Sequence, residues 1–234
     1  MLKGFAAGLL VVSTAALAVP GGTHEDKPID SESIRPPLSV LLDATPGLRA
    51  HIAQDGRIDR LFGSVFATGT SARKTSDSFL LDHAPIWGVA PSNLKAGGVL
   101  PNGAVEQPMM YDSATDQYRF TGVYYSQTIG GFPVFGARVL VLTLNDADHG
   151  AVLAASDLRD LGSFEATTPS PALTGVARMT SLSRQLLADD TATVTDGPRT
   201  VVFAGYDLNP STPTMAVEFV AVAGASWEQG TYQK

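Results

Sequence analysis

The stretch YRFTGVYYSQTIGGFPVFGARVLVLTL, residues 118–144, decides how this chain folds. Tyr118, Phe120, Gly122, Tyr124 and Ser126 alternate with Arg119, Thr121, Val123 and Tyr125. That is the two-residue period of a strand with one face turned inward. Gly130-Gly131 lets the backbone reverse, and Val134 to Leu144 is a long β-branched and apolar run with Arg138 breaking one face. Asn145 to Gly150 reads as a polar turn, after which Ala151 to Ala155 returns. Successive strands joined by short turns predict an antiparallel meander between Met110 and Ser156.

Upstream, the pattern becomes helical. A short helix is expected over Leu38 to Asp43, and a second is expected from Thr45, with Pro46 in its first turn. Ile58, Leu61, Val65 and Phe66 predict a strand pair around Gly63. Ser76 is expected to cap a helix from Asp77 to Ala84 that carries Phe79, Leu80 and His83 on one face. Pro85 and Gly88 end it, leaving Ile86 and Trp87 as apolar plugs. Ser92 to Gln107 reads as loop. Downstream, residues 165–171 form a linker. Thr174 then begins a helix that buries Val176, Ala177, Met179, Leu182 and Leu186. Thr200–Tyr206 and Met215–Ala223 are read as strands around an Asn209-Pro210 turn. The fold class expected is α+β: a meander with a packed helix, then a smaller helix-on-sheet unit that looks unfinished.

The first residues speak to compartment. Lys3 precedes an uncharged apolar run from Phe5 to Leu17, and Ala16 and Ala18 supply the small-x-small pattern of a signal-peptidase site. This predicts a cleaved secretory signal over residues 1–18, with Ala18 at the cleavage point. Localisation outside the cytoplasm, secreted or periplasmic, is therefore expected, without stable membrane insertion afterwards. Residues 19–37 are polar and proline-bearing and read as a leader that buries too little apolar surface to order itself. The chain has 16 Lys+Arg against 23 Asp+Glu and no cysteine. Loss of residues 1–18 removes one lysine and no acid, so the remainder is more acidic still. Such a surface repels phosphate backbones, and nucleic acid is not an expected partner. Without disulfides, stability must come from core packing.

The search for catalytic chemistry is negative. His24-Glu25 is not followed by a second histidine one helical turn on, and His51, His83 and His149 are scattered. Ser71-Ala72-Arg73-Lys74 has the serine-x-x-lysine spacing without its companion motifs. Asp146 and Asp148 share a turn that reads as a solvated hairpin tip. No G-x-S-x-G elbow and no phosphate-binding G-x-x-x-x-G-K loop occurs. No catalytic, cofactor-binding or metal-ligating residue is assigned.

The informative segment is Gln127-Thr-Ile-Gly-Gly-Phe-Pro-Val-Phe-Gly136. Physically it combines a strand exit, a glycine turn, a proline that stops ladder pairing and a strand re-entry. Gly131 and Gly136 are expected to permit close backbone approach, and Val134 and Phe135 to point to opposite faces. The decapeptide resembles the signature of the fungalysin/thermolysin propeptide family, carried by Gln127, Gly131, Pro133, Val134, Phe135 and Gly136, with Phe132 departing from the usual aliphatic residue. Ser78-Phe79-Leu80-Leu81 and Ile86-Trp87-Gly88-Val89 resemble the segments that precede it in that family. Residues 169–223 resemble, more weakly, the PepSY-type module that follows, without its usual closing strand.

The resemblance implies a domain order. A leader with short helices (19–56) comes first, then a propeptide-like domain (57–164), the linker, and a truncated PepSY-like module (172–234). It also implies a role as intramolecular chaperone and temporary inhibitor of a cognate zinc peptidase domain, in cis or in trans. Zinc is then expected only in that downstream domain. The competing reading is a stand-alone exported binding module on the same fold.

Overall fold

The computed structural model describes residues 8–12, 36–169, 175–206 and 209–224. The chain divides into two compact units. The larger comprises residues 21–164 with 204–213, and the smaller comprises residues 1–20, 165–203 and 214–234. The architecture is α+β, with antiparallel sheet dominating.

In the larger unit, α1 (Pro36–Ala44) is longer than the helix expected at Leu38. The two prolines at its start preset the first turn, and Leu38 and Leu41 are buried. No helix follows at Thr45. Gly47 takes φ +85°, and the chain goes straight into β2 (Arg49–Ile52). The strand pair expected around Gly63 is instead one strand, β3 (Ile58–Ala67), which runs through the glycine. A 3₁₀ turn at Pro91–Asn93 and a short β4 (Leu94–Ala96) interrupt the expected loop, and β5 begins early, at Glu106 (Glu106–Asp112). β6 (Gln117–Ile129), β7 (Phe132–Leu144) and β8 (Ala151–Ser156) form the meander read from the sequence. The strands lie in the order β2-β3-β8-β7-β6, with both β4 and β5 on the outer edge of β6, and every pairing is antiparallel.

One face of this sheet carries the core. Leu61, Val123, Tyr125, Val139, Val141 and Ala154 meet Leu38, Phe79, Leu80, Ile86 and Trp87 in one cluster. The helix that covers them, α2 (Ala72–His83), starts five residues before the expected position. Its cap is Ser71, whose side chain accepts from the Lys74 N–H at 3.2 Å. Ser76 lies within the helix and its Oγ donates to the Ala72 carbonyl at 2.8 Å. The buried stripe is Ala72, Thr75, Ser76, Phe79 and Leu80, in which small polar residues take inward positions that an apolar pattern does not mark. Ser71→Ala removes the cap and should cost about 1 kcal/mol of stability, read from the denaturant midpoint. Beyond α2, Ala84–Trp87 forms a 3₁₀ turn ended by Gly88 at φ +71°. Ile86 and Trp87 are buried as expected, and the indole N–H donates to the Ile58 carbonyl at 2.9 Å.

β1 (Gly8–Val12) pairs antiparallel with β10 (Asn209–Val222), and β10 adjoins β9 (Thr193–Tyr206); the smaller unit holds β1, β9 as far as Phe203 and β10 from Thr214. Both late strands are longer than expected, and Asn209-Pro210 lies inside β10 rather than in a turn. α3 (Val176–Leu187) has Gly175 at its N-cap position, and Thr174 lies outside the described residues. Its buried contacts are Met179 and Ser183, with Val176 and Leu186 exposed, so its inward face is narrower than the sequence implied. Met179 packs with Phe219 and Ala221. Glu218 is nearly enclosed and is clasped by Arg199 through Nε (2.7 Å) and Nη2 (2.9 Å), a bidentate pair whose hydrogen bonds raise the Arg199 pKa.

Candidate functional site

The Gln127–Gly136 segment forms the β6–β7 hairpin. Ile129 pairs with Phe132 across Gly130 and Gly131, at φ +58° and +84°. Two positive φ values in a two-residue loop are what a twist-matched hairpin turn requires. Pro133 does not stop the ladder; it lies within β7 opposite Thr128. Gly131 and Gly136 are not points of close approach either, since a Cβ at either would meet nothing within 4 Å. Gly136 is needed for its φ of +68°. Val134 and Phe135 are both buried.

The least expected placement is that of Gln127. The β6–β7 register slips between Ser126 and Thr128, a bulge that re-aims the side chain at this position. Gln127 is 1% exposed. Its Nε2 donates to the Arg159 carbonyl at 2.7 Å, and the Arg159 N–H donates to its Oε1 at 2.8 Å. One side-chain amide thus satisfies both backbone groups of a residue 32 positions away. The hairpin is thereby tied to the segment that leaves β8.

Beside it, the Tyr125 hydroxyl donates to Asp77 Oδ1 at 2.8 Å, and Arg73 Nε donates to the same oxygen at 2.8 Å. Burial, followed by this hydrogen bond, pushes the Tyr125 phenol well above its ordinary value of 10.0. Below that value both folded and unfolded chains hold the proton and the stabilisation is complete. Above it the unfolded chain ionises first, so stability falls as pH rises. Tyr125→Phe should cost about 0.5–1.5 kcal/mol near neutral pH and flatten the alkaline loss, as read from urea midpoints between about pH 8 and 11.

The opposite face of the sheet has another character. Arg60, Ala155, Leu140 and Tyr124 are register partners in a row across β3, β8, β7 and β6. The next row is Phe62, Leu153, Leu142 and Gly122, in which Phe62 is 38% exposed and both leucines are half-buried. On the other side of the first row, Arg138 pairs with Asp157 at 3.4 Å. Val99, Leu100 and Pro101 form a wall, enclosing with these strands a groove of about 650 Å³.

The remaining sequence candidates are placed apart. His51 Nδ1 bonds Asp59 at 2.6 Å, and the His83 ring lies 5.3 Å from that of Phe79, where burial lowers its pKa. The Asp146 carboxylate accepts from the Gly150 N–H at 3.4 Å. Ser71 is a helix cap. Among the described residues no three His, Cys, Asp or Glu side chains converge as a metal site, and no described helix is long and apolar enough to cross a membrane. Ala18 and His24 lie outside the described residues. No protein-family model, no curated protein and no solved structure matches this chain.

Proposed function

We propose that this chain is the pro-region of an exported zinc metallopeptidase, acting as intramolecular chaperone and temporary inhibitor of a protease domain outside these 234 residues. In this reading residues 57–164 are a fungalysin/thermolysin-propeptide-like domain and residues 172–234 a PepSY-like module. The observation that carries it is the Gln127–Gly136 segment, whose buried glutamine and positive-φ glycines act together as one framework element. The reading assigns the chain no catalytic group, only surfaces. The half-apolar sheet face offers one. Signal cleavage after Ala18 would release β1 and free the β10 edge at Val217–Ala221, where a peptidase segment could add as a strand through main-chain hydrogen bonds.

The test is the gene itself. Sequence downstream of the Lys234 codon should encode a His-Glu-x-x-His helix, and the peptidase should fold to an active form only when this chain is supplied in cis or in trans. A stop codon, or a domain without metal ligands, would reject the proposal and favour an exported binding module instead.

A further inference from the structure

The groove beside Leu140 lies outside the Gln127–Gly136 signature, and its binding chemistry is independent of any peptidase. Its floor is shaped by side-chain size. Ala155 sits between Arg60 and Leu140 in the cross-strand row, so a depression opens at the centre, walled by Leu100 and ended by Tyr124. A volume of about 650 Å³ falls within the range of small-ligand clefts, roughly 300–1,000 Å³.

The charges around the groove are not equivalent. Asp59 is bonded by His51, and Asp157 is paired with Arg138. The Tyr124 hydroxyl is spent on Gln107 at 3.0 Å. Arg60 is exposed and has no hydrogen-bonding or ionic partner among the described residues. Its guanidinium offers a planar fork of donors matched to a carboxylate, at the end of an apolar floor. The remainder of the protein is net acidic, so any attraction for an anion here is local to this residue.

We infer that the groove binds a short apolar peptide bearing a carboxylate, with an aliphatic side chain over Ala155 and Leu140 and the carboxylate held by Arg60. The carboxylate can be a chain end or an acidic side chain.

The experiment is a calorimetric titration of the full chain with three peptides: acetyl-Ala-Leu-Leu with a free carboxyl terminus, the same peptide amidated, and amidated acetyl-Leu-Leu-Glu. The free acid should bind at least about tenfold more tightly than its amide, a difference of about 1.4 kcal/mol. Arg60→Met, which keeps the aliphatic stem, should weaken the free acid by a similar factor and leave the amide unchanged. Equal binding of both acids assigns the site to carboxylates in general, and preference for the first assigns it to chain ends. If acid and amide bind alike, if Arg60→Met binds the acid as the parent does, or if millimolar peptide gives no saturable heat, the inference is wrong. The acid-against-amide comparison uses the unaltered chain, so it decides the matter whatever the variant does to folding.

Discussion

Replacing Gln127 by alanine should lower the unfolding free energy by about 2–6 kcal/mol. The figure comes from two groups, not one. The Arg159 N–H and C=O each lose the bond that Gln127 makes to them, and losing a buried bond to a backbone group costs about 1–3 kcal/mol. Leucine at the same position should fare no better, because apolar atoms that fill the space restore neither bond to Arg159. Glutamate separates the contributions. Its carboxylate can still accept from the Arg159 N–H at neutral pH, but it faces the Arg159 carbonyl with no proton to donate. Gln127→Glu should therefore be destabilised at pH 7 and recover part of the loss on acidification, when the protonated acid can donate again. Urea unfolding at two pH values measures all three variants. A loss below about 1 kcal/mol for Gln127→Ala would mean that solvent or a rearranged partner satisfies Arg159.

That glutamine also marks the limit of sequence reading here. The β6–β7 meander was legible because alternation over many residues leaves a strand as the consistent choice, and Val139 and Val141 do face inward as the pattern requires. Within the alternation, Gln127 reads as an ordinary polar residue near a strand end. Its burial depends on a bulge and on a partner 32 residues downstream, neither of which has a local pattern. The start of α2 leaves no apolar mark in the sequence for a related reason. Its inward stripe uses Thr75 and Ser76, whose hydroxyls carry no hydrophobic signal; the Ser76 Oγ finds its acceptor in the Ala72 carbonyl. The late strands run longer than the sequence pattern implies because Thr193–Arg199 and Asn209–Thr214 carry few large apolar side chains, Val194 apart, so alternation gives little signal there. For the groove, the sequence contains every residue but no sign of the row they form. Arg60, Tyr124, Leu140 and Ala155 come from four strands, and only the register brings them together.

Gly63 in β3 is a position where a single added methyl group should be costly. The sequence pattern treats it as a turn between two strands, yet β3 continues through it at φ +105°. A Cβ built there would sit 2.7 Å from the carbonyl oxygen of Gly47. That oxygen belongs to backbone, in the turn that delivers the chain to β2, so it cannot step aside as the end of a flexible side chain could. Two penalties therefore combine in Gly63→Ala. The positive φ costs about 1–3 kcal/mol for a residue with a side chain. Relieving the contact must also displace the turn at Gly47 or the pairing of Arg49 with Phe62. The expected loss is at least about 3 kcal/mol. Gly56→Ala provides the control, because Gly56 has φ +80° but open space where its Cβ would lie. It should lose only the conformational part, about 1–3 kcal/mol. Equal losses at the two positions would show that conformation alone sets the cost and that the approach of Gly47 is irrelevant. A clear excess at Gly63 would identify this crossing as the reason β2 and β3 can pair so soon after α1 ends.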